Sequence, residues 1–431
     1  MRRVLPLVVL MTIPMNAQTL SDRIDREIPS LMNTYKGLHA APELSMQEQK
    51  TSATVAGRLR ELGYDVTEHV GKYAEPDATC YGVVAVMHNG DGPVVLLRTD
   101  MDALPISEQT GLAYASNVSN VMHACGHDLH MTALLGAAKI LADTKSQWHG
   151  TLVLIGQPAE EVVKGAQAML NAGLYDRFPR PDYALAIHDS AEIEAGKVGI
   201  RSGYILSAGD SVDITVRGIG GHGASPQSTK DPIVVASEIV MALQTIVSRE
   251  RSPLDPVVIT VGAFHAGTKR NIIPDEAKLN LTVRTYKADV RERVLASIER
   301  MAKGIALAAG IAEDRAPIVT VLTGESTPST YNDPALTQRM HAAVAKQIGA
   351  ANVVEGEPGM ASEDFGRFSL DQKIPATMLR VGAADPAKVA SGAVLPSLHS
   401  SKFAPTPLEL VLRRAIETEV SAVLELLGRR F

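Results

Sequence analysis

The chain has 431 residues, 45% of them apolar and 21% charged, with a formal net charge of -6. Its length suits two domains, and the apolar share is enough to fill their cores. The mild acidity gives no sign of the basic face that a nucleic-acid partner calls for, and none is expected; no internal repeat or low-complexity tract appears.

At the N-terminus, Arg2 and Arg3 precede an apolar run over 4–15, and Asn16-Ala17-Gln18 offers a cleavage site. This is the pattern of a signal peptide over 1–17. It is too short to span a bilayer and stop there, so an exported protein without a membrane span is expected. Residues 20–39 and 47–62 carry apolar side chains at three- and four-residue spacing, which predicts two amphipathic helices, the second stopped by Gly63. Residues 81–89 and 93–98 read as strands, with Asn89-Gly90-Asp91-Gly92 as a hairpin-like turn between them. Val94-Val95-Leu96-Leu97 is apolar on both faces, as in a strand buried in a helix-covered sheet.

Asp100 and Asp102 follow that strand. Further on, Met122-His-Ala-Cys-Gly-His-Asp-Leu-His130 packs three histidines, a cysteine and an aspartate into one short stretch. It lies between a turn-rich segment over 114–120 and an apolar run over 131–141 with helical spacing, so it reads as a loop entering a helix. Leu152-Val-Leu-Ile155 then runs into Gln157-Pro-Ala-Glu-Glu161, and Tyr183-Ala-Leu-Ala-Ile187 into His188 and Asp189. Each apolar strand ends on acid or imidazole groups. Ligands of open α/β sheets sit outside the carboxyl ends of the strands, so the three strand ends and the Cys125 loop are expected to surround one site.

From about residue 206 the pattern changes. A strand over 211–217, a helix over 231–250, strands over 257–264 and 277–284, a helix over 289–309 capped by Asp289, and a strand over 317–322 form a β-α-β-β-α-β unit. This α+β unit interrupts the first domain, which resumes near Asn332. A helix over 334–348, a polar loop from Gly359 to Phe365, a buried strand over 376–381, a loop bearing His399 and a helix over 407–427 complete the chain.

A hydrolytic metal centre needs imidazole, thiolate and carboxylate ligands. It also needs a carboxylate that is not a ligand, to take a proton from water. Glu160 and Glu161 supply that division, because adjacent residues in a loop point different ways. Cys125 and His127, two apart, suit ligands splayed from a turn onto a site completed from elsewhere. A helix cap with incidental histidines is the plainer alternative, and a Cys80–Cys125 disulfide is the alternative use of the two cysteines.

At this point the residues resemble a family. Leu38-His-Ala-Ala-Pro-Glu-Leu44, Asp100-Met-Asp-Ala-Leu-Pro105, Met122 to Asp128, Gln157 to Glu161, Gly220-Gly-His-Gly-Ala-Ser-Pro226, Asn271-Ile-Ile-Pro-Asp275, Ser362-Glu-Asp-Phe365 and Leu398-His-Ser400 occur in the order seen in the M20 metallopeptidases. The chain is most similar to the branch that hydrolyses N-acyl amino acids, hippurate-like amides and auxin conjugates. The resemblance implies an α/β, zinc-peptidase-like catalytic domain with a mixed, mainly parallel sheet over 18–204 and 325–431, and an inserted dimerisation or lid domain over 205–324. It implies two divalent ions, Zn2+ or Mn2+, held by Cys125, His127, Glu161, His188 and His399, with Glu160 as general base to a metal-activated water. Asp100 and Asp102 then orient the ligands, His222 reaches a partner subunit's oxyanion, and Asn271 and Arg284 hold a substrate carboxylate. A homodimer acting on an N-acyl amino acid or short peptide is expected. A carboxypeptidase or dipeptidase is the alternative within the family, and a non-enzymatic metal-binding dimer the alternative outside it. One departure stands out: the branch continues the His188 strand with a small-residue and proline loop, where this chain has Asp189-Ser190-Ala191.

Overall fold

In strand Val94–Asp100, Val95 and Leu97 enter one apolar core while Leu96 enters another. That alternation is what a strand covered on both faces requires. The first core is closed by helices Leu20–Ala40, His127–Asp143 and Leu408–Leu426, and the second includes Met169, Phe365 and Phe368. The computed structural model describes residues 19–429, so the expected signal peptide over 1–17 lies outside the described residues.

The central sheet has eight strands in the order Asp65–Thr67, Val83–His88, Thr151–Gln157, Val94–Asp100, Tyr183–Glu194, Ala376–Ala384, Val198–Ile200 and Val353–Glu355. Its four middle strands are mutually parallel, and antiparallel pairs flank them. The chain is therefore an α/β protein with a mixed, mainly parallel sheet.

In this domain three expectations change. Asn89 to Gly92 does not close a hairpin, because Thr151–Gln157 lies between the two strands, antiparallel to Val83–His88 and parallel to Val94–Asp100. The Asn89 amide instead donates to the carbonyls of Lys145 (2.7 Å) and Trp148 (2.6 Å), which ties the turn to the incoming strand's approach. The histidine-rich stretch is only partly a loop: its helix begins at His127, after Gly126 with φ 80°. The strand after Tyr183 does not stop at Ile187 but runs to Glu194, so His188 lies inside it.

A four-stranded antiparallel sheet, ordered Val257–Ala266, Glu276–Thr285, Ala208–Arg217 and Ile318–Val321, forms the second unit. Helices Pro232–Arg249 and Ala288–Ala308 cover one face of it. The latter is preceded by Lys287, so Asp289 lies in its first turn instead of capping it. Helix Pro232–Arg249 has the length and composition to cross a membrane. Here Val235, Ala236, Ile239, Leu243 and Ile246 are buried in the core of this unit. The chain enters and leaves the unit through strands Gly203–Leu206 and Thr330–Asn332, which pair with each other.

Candidate active site

Five chemistry-bearing side chains converge beyond the middle strands. Cys125 Sγ lies 3.2 Å from His399 Nε2 and 3.6 Å from His188 Nε2. His127 Nε2 lies 3.9 Å from Glu161 Oε1, and His399 Nε2 lies 3.5 Å from Glu161 Oε2. Among the described residues, the groups close enough to share an ion include two overlapping triplets of these donors, Cys125 with His127 and His188 and Cys125 with Glu161 and His399, and also His127 with Glu160 and Glu161 and Asp100 with His127 and His130.

Local structure aims each ring. His127 Nδ1 lies 2.8 Å from the Asp102 carbonyl, and His188 Nδ1 lies 2.7 Å from the carbonyl of Asp189. Those bonds put the proton on Nδ1 and leave each Nε2 lone pair facing the cluster. His399 has φ 63°, and its loop is held by its N–H donating to the Ala124 carbonyl at 2.8 Å. Its side chain stays 53% exposed, so the site opens to solvent on that side.

The donor set fits a divalent metal. His127 Nε2 and Glu161 Oε1 are buried without a hydrogen-bond partner, and a buried polar atom left unpaired is costly. Thiol, imidazole and carboxylate together suit zinc or a similar borderline ion. Both cysteines are free, so Cys125 is not in a disulfide. The electrostatics agree. Burial, then Glu363 and Glu161, push Glu160 well above the carboxylate range, and burial and neighbouring carboxylates bring Glu161 to about 7. Burial opposes charge on His127, but Asp100 and Asp102 outweigh it and raise its pKa. The site concentrates negative charge where a cation would sit, and a bound cation displaces such protons.

Behind the donors lies a buried ion network. Arg98 donates through Nη1 to Asp100 Oδ2 (2.6 Å), through Nη2 to Glu363 Oε1 (2.8 Å) and through Nε to Gln157 Oε1 (2.9 Å). His130 bridges Asp100 Oδ1 (2.7 Å) and Asp189 Oδ1 (3.2 Å). Asp102 Oδ2 accepts the Glu161 N–H at 3.0 Å, and Asp102 Oδ1 lies 3.4 Å from His127 Nδ1. Asp100 and Asp102 thus touch the donors without completing either triplet. Arg98, His130 and Glu363 were given no role from sequence, and Asp189 was noted only at a strand end and as a departure from the family branch. The available signal was a charged or imidazole side chain inside or next to an apolar strand.

The inserted domain's candidates lie elsewhere. His222 is exposed on strand Gly221–His222, which pairs with Ile272–Ile273, and Asn271 is exposed beside it. No described contact within one chain brings either to the donors. Arg284 is half-buried and donates through Nη1 to the Met360 carbonyl (3.0 Å) and Ser362 Oγ (2.9 Å). It therefore reaches the polar loop that carries Glu363.

The profile of Peptidase family M20/M25/M40 matches residues 96–403. The chain belongs to peptidase family M20. Thermostable carboxypeptidase 1 of Saccharolobus solfataricus is 38% identical over 382 residues, 88% of this chain and 91% of that one. Hippurate hydrolase of Campylobacter jejuni is 40% identical over 333 residues, 77% of this chain and 82% of that one. A Bacillus subtilis structure described as a dinuclear metal binding peptidase from this family superposes with a TM-score of 0.75 at 28% identity, covering 93% of this chain and 99% of that one. As an M20 member the chain is a metal-dependent amidohydrolase or peptidase, a hydrolase of amide bonds.

Proposed function

We propose that this M20 chain is an exported homodimeric amidohydrolase that cleaves N-acyl amino acids, with Cys125, His127, Glu161, His188 and His399 holding two divalent ions, zinc or manganese. The observation that carries the reading is the split between adjacent carboxylates. Glu161 pairs with two imidazoles, His127 and His399, at 3.9 and 3.5 Å, whereas Glu160 Oε2 pairs with one, His127, at 3.9 Å, beside Glu161. Glu161 joins the two triplets, and Glu160 is left to move a proton. When bound, the ions would polarise the amide carbonyl and make water acidic enough to lose a proton near neutral pH. Glu160 takes that proton and hands it to the leaving nitrogen. Asp102 orients His127 and fixes the Glu161 backbone, and Asp100, tied to Arg98 and His130, holds the strand end still.

N-acyl amino acids and peptide C-termini share an amide next to a free carboxylate. In this reading Arg284 and Asn271 anchor that carboxylate, and His222 meets the oxyanion across the dimer. The dimer reading draws support from apolar side chains left exposed on the inserted domain, Val234 and Met241 on its helix and Val258 and Phe264 on its edge strand. Export draws support from Arg2, Arg3 and the apolar run after them, and the N-terminal sequence of the mature chain tests it. A carboxypeptidase is the second reading, favoured by the carboxypeptidase relative that matches over 88% of the chain. Assaying N-benzoylglycine, N-acetyl-L-cysteine, N-acylated dipeptides and free dipeptides with zinc, manganese and cobalt decides between them. N-acyl amino acids should turn over fastest, and activity confined to peptides would overturn the first reading.

A further inference from the structure

The motif from Leu38 to Leu44 leads into a loop that the mechanism above leaves without a role. Glu43 anchors this loop: its Oε2 accepts the N–H groups of Lys50 and Thr51, each at 2.8 Å, at the start of helix Gln49–Glu61. Five residues on, Glu48 is fully buried, and its Oε1 accepts the N–H of Ala159 at 2.8 Å, across 111 positions of sequence, as well as that of Met46 at 2.8 Å. Ala159 immediately precedes Glu160.

The turn bearing the two glutamates is strained at both ends, since Ala159 and Val163 each have φ 51°. Side chains other than glycine avoid this region, and such residues persist only where surrounding contacts over-determine them. Two carboxylates do so here. Glu48 holds the N–H before Glu160, and Asp102 holds the N–H after it, that of Glu161, at 3.0 Å. The same loop supports the second clamp, because Ser45 Oγ donates to Asp102 Oδ2 at 2.6 Å.

We propose that Glu48 is a positioning residue for Glu160: by holding the Ala159 N–H it keeps the strained turn in the one arrangement that separates the proton-moving carboxylate from the metal-holding one. The proposal rests on the reading of Glu160 as the base. Glutamine at position 48 keeps the acceptor oxygen, whereas leucine of similar size removes it. Glycine at position 159 adopts the observed backbone without strain, so it lessens the need for the clamp.

The test compares Glu48→Gln, Glu48→Leu, Ala159→Gly and the Glu48→Leu/Ala159→Gly pair in the full-length zinc-loaded protein. Turnover of N-benzoylglycine, bound zinc and amide hydrogen exchange over 158–165 are measured. Glu48→Leu should lower kcat about 10–100-fold, the usual effect of losing an outer partner. KM and zinc content should stay within about twofold, and exchange over 158–165 should quicken. Glu48→Gln should stay within a few-fold of the unmodified chain in every readout, and the double variant should regain part of the lost kcat. The proposal is overturned if Glu48→Leu leaves kcat and exchange unchanged, if it loses zinc in step with kcat, or if Glu48→Gln is as damaging as Glu48→Leu. Should Glu48→Leu not fold, the Ala159 amide of the unmodified chain decides: slow exchange supports the clamp, and exchange as fast as a solvent-facing amide overturns it. If the unmodified chain hydrolyses no N-acyl amino acid or peptide, the functional reading fails, while the exchange comparison still tests the clamp.

Discussion

Glu160→Gln keeps the side chain's shape and removes its capacity to take a proton. A general base contributes roughly 10²–10⁴-fold, so kcat should fall by that order while metal analysis still finds two ions per chain. Near-normal turnover would move the base elsewhere. Cys125 invites a spectroscopic test. Burial, then Glu161 and Glu160, push its thiol well above the usual cysteine range, whereas a coordinating thiol is deprotonated outright. Cobalt loading should therefore produce a thiolate-to-metal charge-transfer band that Cys125→Ser abolishes, and a band that survives the substitution would exclude Cys125 as a ligand. These residues were legible in the sequence because imidazole, thiol and carboxylate groups stand out against the apolar strands they follow. Arg98 and Glu363 were not, because their pairing joins positions 265 residues apart.

At the scale of elements, what local pattern could decide was read well, and what depends on pairing was not. Val94 to Leu97 announces a strand covered on both faces, but nothing local says that Thr151–Gln157 enters between it and Val83–His88. The apolar pattern of the strand from Tyr183 ends at Ile187, where polar residues begin, yet the strand runs to Glu194. It continues because Asp189 is satisfied by His130, whose helix is distant in sequence. The helix start at His127 was hidden for a related reason: Gly126 sets its entry, and a Cβ there would lie 2.5 Å from Asp189 Oδ2. Arg98 ties three of these elements together. Arg98→Met leaves Asp100, Glu363 and Asp364 buried without their cation, and removing one partner of a buried ion pair costs about 3–5 kcal/mol. Denaturant unfolding should show that loss. By contrast, Arg293→Ala, which breaks an exposed pair with Asp289, should change stability by no more than about 0.5 kcal/mol. Equal effects would deny the network its structural role.

The whole molecule places the donors in one domain and the candidate substrate anchors in the other, joined by the paired crossing strands Gly203–Leu206 and Thr330–Asn332. Arg284 already touches the Met360–Ser362 segment at this junction, while His222 and Asn271 face solvent. If the substrate carboxylate draws the domains together, its binding energy is used to assemble the site, and losing it should cost turnover as well as affinity. A free-acid N-acyl amino acid should then be hydrolysed well and its C-terminal amide poorly, and Arg284→Ala should remove most of that difference. Equal rates on acid and amide would exclude carboxylate-driven closure. His222 meets none of the metal donors within its own chain in this arrangement, so a role across the dimer has to be told apart from one reached by closure within the chain. Mixing inactive His222→Ala and Glu160→Gln chains distinguishes these outcomes. A mixed dimer has one site with Glu160 and a His222 donated by the other chain, and random exchange of equal amounts makes about half of the dimers mixed, so activity should return toward roughly a quarter of the unmodified protein's. No recovery after exchange is verified by mass would exclude the cross-subunit role of His222.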